Sequence, residues 1–191
     1  MRPLPRSFYD HDSRLLAPLL LNKVLVVGER RARIVEVEAY RGAEDPASHA
    51  YRGPTRRNAV MFGPPGHLYV YFSYGVHWCA NVVCGEPAAG HAVLLRAGAP
   101  LAGLDAMRAA RPAARRERDL CSGPGKLCQA LGLTGTDDGA DLVAPTPGGP
   151  WLGDDGTPPP AEPGVSVRIG ITRAAEHPWR WFVAGEPNVS R

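Results

Sequence analysis

The chain is short of lysine. Of its 22 basic residues only Lys23 and Lys126 are lysines, and the rest are arginines. Schiff-base chemistry through a side-chain amine therefore has two candidates at most. Cysteine is also sparse. Cys79, Cys84, Cys121 and Cys128 form no C-x-x-C pair, which argues against a zinc ribbon or a dithiol redox centre. We read them as free thiols of a reducing cytoplasm. No H-E-x-x-H occurs, so neither a metal nor a cofactor is expected. The apolar run from Leu15 to Leu21 is broken by Pro18 and is too short to span a bilayer. Phe72-Ser73-Tyr74-Gly75 lacks the leading glycine of a nucleophile elbow. Ser122-Gly123-Pro124-Gly125-Lys126 lacks the glycine spacing and the hydroxyl residue of a P-loop. There is no internal repeat.

At 191 residues the chain suits one domain with a core of its own, residues 1–191. Of its 22 glycines and 20 prolines, many fall in residues 134–164, which read as irregular. Charge is uneven. Residues 1–126 carry 18 Lys and Arg against 11 Asp and Glu, and residues 127–191 carry 4 against 8. A basic body suits an anionic polymer, although a lopsidedness of this size also fits an ordinary surface.

The pattern predicts a short helix from Ser13 to Leu21, capped by Asp12 and ill-suited to Pro18. Strands follow at Lys23–Val27 and Ala32–Tyr40, joined by a turn at residues 28–31. With period two, Ile34, Glu36, Glu38 and Tyr40 share one face of the second strand. Val35, Val37 and Ala39 share the other and should face the core. Arg41–Pro65 is a long connection with a helical turn near Pro46–Tyr51, and such segments are often functional. His67–Phe72 and Val76–Cys84 are strands joined at a hairpin tip, Ser73-Tyr74-Gly75. A strand at Ala92–Ala97, helices at Leu101–Arg111 and from Gly123-Pro124-Gly125 to Leu131-Gly132, and strands at Val165–Thr172 and Trp179–Val183 complete the reading. The class is α+β: a curved, mainly antiparallel sheet flanked by helices.

On the strand pattern alone Glu38 reads as a solvent-facing glutamate and His49 as a loop histidine. Residues 122–126 put backbone amides and Lys126 at a helix start, which equally suits a phosphate or an ordinary turn. Tyr74, at a hairpin tip beside Gly75, should protrude. Exposed aromatics near basic residues, here Arg52, Arg56 and Arg57, can stack on bases or wedge between them.

Several separate segments, in order, resemble one family. Val35-Glu36-Val37-Glu38-Ala39-Tyr40 and Glu44-Asp45-Pro46-Ala47-Ser48-His49 are similar to the active-site strand and loop of the alkyladenine (3-methyladenine) DNA glycosylases of the mammalian type. The likeness runs through Arg57-Asn58, Met61-Phe62, residues 66–71, Tyr74-Gly75, Asn81, residues 93–97 and residues 119–127. It closes with Arg168-Ile169-Gly170-Ile171 and Val189-Ser190. The resemblance implies a monofunctional enzyme that flips an alkylated or deaminated purine out of duplex DNA and hydrolyses its glycosidic bond. The lesion class is 3-methyladenine, 7-methylguanine, hypoxanthine and ethenoadenine. It implies Glu38 as the general base and Arg96 as the group that helps place Glu38 and its water and keeps the Glu38 pKa low. Tyr40, His49 and Tyr71 would hold the flipped base, Asn81 would crowd the purine two-position, and Tyr74 would fill the gap in the duplex. Arg57 and Lys126 would meet the DNA backbone. The partner would be duplex DNA with a damaged purine, bound by a monomer in the cytoplasm, at the nucleoid, with no membrane involved. Val76, His77, Arg56 and Ala59 depart from the mammalian pattern, and the basic N-terminal extension of those members is missing. Neither lysine matches the pocket, so no strand cleavage is expected. The competing readings are a nucleic-acid-binding module without catalysis and an enzyme acting on RNA.

Overall fold

The computed structural model describes residues 1–190. Strands β1 (Val24–Val27), β2 (Arg30–Arg41), β3 (Leu68–Ser73), β4 (His77–Cys84), β5 (His91–Ala102), β6 (Pro150–Gly153), β7 (Gly164–Ser166) and β8 (Arg180–Phe182) form one sheet. Its main path runs β3-β4-β5-β2-β1-β6, and β8 joins β2 to β7. The pairings are antiparallel. Helices α1 (Ser13–Leu20), α2 (Leu104–Ala110) and α3 (Pro124–Leu131) flank it. The molecule is an α+β fold with a curled antiparallel sheet.

Asp12 caps α1 by accepting from the Arg14 amide at 2.9 Å, which satisfies one of the helix's unpaired donors. Pro18 lies inside this helix after all. α1 presents Leu16, Ala17 and Leu20 to the sheet, and α3 presents Leu127, Cys128 and Leu131. They meet Ile34, Val37, Ala39, Val93 and Leu95 in one core. Each fully buried leucine contributes about 1.5–3 kcal/mol. Gly132, at φ +81°, ends α3 in the left-handed conformation. A smaller cluster of Ala50, Met61, Tyr69, Val83 and Ala92 anchors the long connection to the sheet beside the site.

β2 departs from strict alternation. Ile34 pairs with Gly98 and Glu36 with Ala97, so Val35 is an extra residue on β2. Val37 then pairs with Leu95, which leaves Arg96 as the extra residue on β5. These two bulges shift the phase of the strand. Ile34 therefore joins Val37 and Ala39 in the core, not the face of Glu36 and Glu38, and buried Val35 lies outside that core cluster. Both faces of β2 are covered.

Other boundaries moved as well. β5 continues to Ala102, so α2 starts only at Leu104. The helical turns of the long connection fall at Gly42–Glu44 and Ala59–Phe62, on either side of 46–51. Residues 134–164 include a 3-10 turn and β6, which pairs with β1. The expected strand Val165–Thr172 ends at Ser166. Beyond it Arg168 turns inward to Asp45 and the Ile169 amide turns to Glu38, so the chain leaves the sheet to serve the site.

Candidate active site

A cavity of about 640 Å³ opens between the long connection, the β3–β4 hairpin, β5 and the loop at 169–171. Tyr40, His49, Arg57, Tyr71, Tyr74, Asn81 and Arg96 all line it. Seven of the nine residues singled out from the sequence thus meet at one surface. An eighth, Glu38, is wholly buried one layer behind the wall.

The surroundings of Glu38 are polar. Its Oε1 accepts from the Ile169 amide at 2.7 Å and lies 3.3 Å from an Arg96 terminal nitrogen. Its Oε2 accepts from the Tyr40 hydroxyl at 3.0 Å. Tyr40, Arg96 and Ile169 each border the cavity, so the carboxylate sits directly behind the wall among polar groups and not in the apolar core. Burial pushes its pKa above the usual glutamate range, and Arg96, the Ile169 amide and Tyr40 pull it back only in part. This corrects the expectation that Arg96 holds the value low: desolvation disfavours the charged form more than one neighbouring cation favours it.

The aromatic wall is built on β3. Tyr69 and Tyr71 point to the same side and stack at 5.5 Å between centroids. The His49 ring meets Tyr71 edge-on at 4.4 Å. Its Nδ1 shares a 3.0 Å hydrogen bond with the Tyr69 hydroxyl. Asn58 holds the His49 carbonyl at 2.8 Å, fixing the loop. Burial and nearby Arg57 lower the His49 pKa, so the neutral ring is favoured, with one donor and one acceptor nitrogen. Asn81 donates to the Tyr69 carbonyl at 3.2 Å and is almost wholly buried.

Tyr74 stands at the rim, 88% exposed. It and Gly75 both have positive φ, +48° and +67°, and the Val76 amide closes the turn on the Ser73 carbonyl at 2.9 Å. That is the φ pattern of a type I′ turn, which suits the twist of a hairpin. Lys126 is the ninth residue, and it does not line the cavity. It lies exposed in the first turn of α3, 3.4 Å from the Ser122 hydroxyl, while its neighbour Pro124 borders the cavity. Gly125 is needed there, because a Cβ would lie 2.5 Å from the His77 ring.

Three supports of this site are not among the nine residues singled out from the sequence. The Ile169 amide is a backbone group, and no side chain announces it. Arg168 and Asp45 form a wholly buried ion pair. The Arg168 guanidinium also lies 4.7 Å from the Tyr40 ring centroid and 5.0 Å from that of Trp179. An arginine inside the apolar run Val165–Ile171 was the available signal. Glu36 is the third, with Arg96, Arg180 and Ser190 around it. Among the described residues no group of three His, Cys, Asp or Glu side chains is placed to hold a metal, and no helix is long and apolar enough to cross a membrane.

Comparison with known proteins adds an independent line. The family model of methylpurine-DNA glycosylase (MPG) matches residues 7–187. The chain belongs to the methylpurine-DNA glycosylase family. It is accordingly a DNA glycosylase, an enzyme of DNA repair. Among its relatives is a protein of Burkholderia lata, 56% identical over 98% of this chain and 90% of its own length. Others come from Frankia casuarinae, 51% identical over 96% and 90%, and Chlorobaculum parvum, 48% identical over 100% and 91%. All three bear the name "Putative 3-methyladenine DNA glycosylase".

Proposed function

We propose that this glycosylase hydrolyses the N-glycosidic bond of alkylated or deaminated purines in duplex DNA, the class of 3-methyladenine, 7-methylguanine, hypoxanthine and ethenoadenine, and leaves the strand intact. The observation that carries the reading is the Glu38 carboxylate directly behind the wall of an aromatic cavity, hydrogen-bonded to Tyr40 and the Ile169 amide and ion-paired with Arg96. The names of the relatives support 3-methyladenine within that class.

A purine inside a duplex is out of reach, so it is turned out of the stack at a cost of a few kcal/mol, least where the lesion pairs poorly. Tyr74, projecting from the rim, fills the gap left behind. Tyr40, His49 and Tyr71 hold the displaced base. Electron-rich rings favour an alkylpurine that carries positive charge. Asn81 narrows the floor against the normal guanine amino group. Arg57 and Lys126 meet phosphates on either side.

As the C1′–N bond breaks, its electron pair leaves with the purine and positive charge builds on the sugar. Ionised Glu38 stabilises that charge and takes a proton from the water that adds to C1′. Arg96 orients the carboxylate. A cationic purine leaves directly, whereas hypoxanthine needs a donor to its ring. Neither Lys23 nor Lys126 lines the cavity, which supports hydrolysis over amine attack.

The test is single-turnover excision from duplexes carrying hypoxanthine, ethenoadenine or 3-methyladenine, with DNA, RNA and a Glu38→Gln control. Excision from DNA by the native chain, lost in the variant while binding persists, is expected. Retained turnover by Glu38→Gln, or a covalent adduct trapped with borohydride, would overturn the mechanism.

A further inference from the structure

Glu36 sits two residues before Glu38 on β2 and is wholly buried. A lone buried carboxylate is costly, yet this one is saturated. Its Oε1 accepts from Arg96 Nε at 2.9 Å, Arg180 Nε at 2.7 Å and the Ser190 hydroxyl at 2.8 Å. Its Oε2 accepts from the Ser190 amide at 2.6 Å. The Ser190 hydroxyl in turn lies 3.4 Å from an Arg96 terminal nitrogen. Arg180 reaches the Ser190 carbonyl at 3.5 Å and the Ser166 hydroxyl at 2.8 Å. Arg96, Arg180 and Ser190, from 60 to 154 positions away along the chain, therefore converge on one carboxylate.

Arg96 is the shared member. It uses Nε on Glu36 and turns a terminal nitrogen to Glu38 at 3.3 Å. It is also the bulged residue of β5, opposite the bulge on β2, and a bulge re-aims a side chain. A guanidinium has donors along several edges. Without Glu36, Arg96 is free to rotate fully onto Glu38 and neutralise it. Holding one edge elsewhere limits that contact and leaves Glu38 Oε2 bonded only to Tyr40. Arg180 supplies the second cation, so the buried set of two carboxylates and two guanidiniums balances.

We propose that Glu36, seated by Ser190 and Arg180, is a positioning residue that fixes the Arg96 guanidinium so that it orients the Glu38 carboxylate without capping it. The inference rests on Glu38 as the base of the excision reaction. The charged and titratable groups facing Glu38 are Glu36 and Tyr40 on its own strand, Arg96 on β5, Tyr71 on β3 and Cys79 on β4.

The experiment measures single-turnover excision from a hypoxanthine duplex against pH for Ser190→Ala, Ser190→Thr, Glu36→Gln and Glu38→Gln, with DNA affinity and thermal melting for each. Ser190→Ala keeps the backbone donor and should fold. Its rate should fall about tenfold with DNA affinity within twofold, and Ser190→Thr should restore most of it. Glu36→Gln should slow excision more strongly and move its acid limb to lower pH, because Glu38 loses a like charge and gains more of Arg96. If Glu38→Gln is inactive while Ser190→Ala excises at the native rate, the positioning role is overturned and the base survives. If losses in the Ser190 and Glu36 variants track melting alone, with the acid limb unmoved, the cluster is only structural. If Glu38→Gln stays active, the base assignment itself fails.

Discussion

Arg168 lies over the ring of Tyr40, its guanidinium carbon 4.7 Å from the centroid. Its two terminal nitrogens meanwhile grip both oxygens of Asp45 and the Ala39 carbonyl. One side chain thus fixes the back of the Tyr40 ring, the entrance to the long connection and the strand that carries Glu38. Arg168→Met should leave Asp45 as an uncompensated buried charge, a loss of about 3–5 kcal/mol. Lysine should rescue it poorly, since it cannot make the bidentate, stacked contact. Thermal melting of both variants checks this, and native-like stability in Arg168→Met would contradict it.

The proposed role of Glu38 makes excision pH-dependent in a definite sense. Burial, opposed in part by Arg96, raises its pKa, and the proposed reaction needs the carboxylate. The rate should fall as pH drops through that raised value, so the acid limb lies above the ordinary glutamate range. Stability has the opposite sign. A carboxyl with a raised folded pKa favours the fold while protonated, and that contribution is lost as pH rises through the folded value. Glu38→Gln should therefore lose about 10²–10⁴-fold in excision rate and yet melt no lower than the native protein at pH 8. Rate and melting curves measured on the same two proteins decide both halves.

Much of this site was legible through family resemblance and little of it through local pattern. Glu38, Tyr40, His49, Tyr71 and Asn81 were picked out because their segments, in order, resemble one family, whereas the strand pattern alone gave Glu38 as a solvent-facing glutamate and His49 as a loop histidine. Their clustering follows from strand pairing, Tyr69 opposite Asn81 and Glu38 opposite Leu94. The supports were harder to read. A bulge is a two-strand event, so strict alternation misplaced Ile34. The Ile169 amide has no sequence signature. The Glu36 cluster joins residues up to 154 positions apart, a separation that no local pattern encodes. The pKa of Glu38 turned on a balance of burial against one cation, and burial cannot be read from a motif.

Asp12 should matter for stability and not for chemistry. It caps α1 and pairs with Arg14 and Arg41. Burial works to raise its pKa, but hydrogen bonds from both arginines overcome this and bring it to about 2. Its stabilisation is present above about pH 4, near the unfolded aspartate value, and is lost as pH falls toward 2. Asp12→Ala should cost about 1 kcal/mol at neutral pH, with the difference from native vanishing in acid. Denaturant titrations at pH 7 and pH 2.5 test it. A difference that persists unchanged in acid would count against the ion pairs.

Arg57 and Lys126 are both exposed, so alanine at either should fold. If each neutralises one phosphate, each variant lowers the slope of log affinity against log salt by about 0.9. Damaged and undamaged duplexes should weaken alike, because backbone contacts position the DNA without reading it. Fluorescence anisotropy across a salt series gives the slopes. An unchanged slope for Lys126→Ala would remove the start of α3 from the DNA footprint.

Tyr74 combines two properties that one substitution separates. It is exposed, and its φ of +48° lies in the left-handed region. A residue with a Cβ is held there at a cost of about 1–2 kcal/mol, which glycine does not incur. Tyr74→Gly should therefore melt at the native temperature or slightly above it. The same variant loses the side chain proposed to fill the gap in the duplex, so affinity for lesion DNA should fall about tenfold, within the 1–3 kcal/mol associated with base–aromatic contact. The loss should be greater for hypoxanthine in a stable pair than for a lesion opposite an abasic gap, where little stacking has to be broken. Excision that stays native for both substrates would mean that the hairpin tip protrudes for some other reason. A loss confined to the well-paired lesion places the tyrosine in the flipping step, where strain in the turn is offset by contact with DNA.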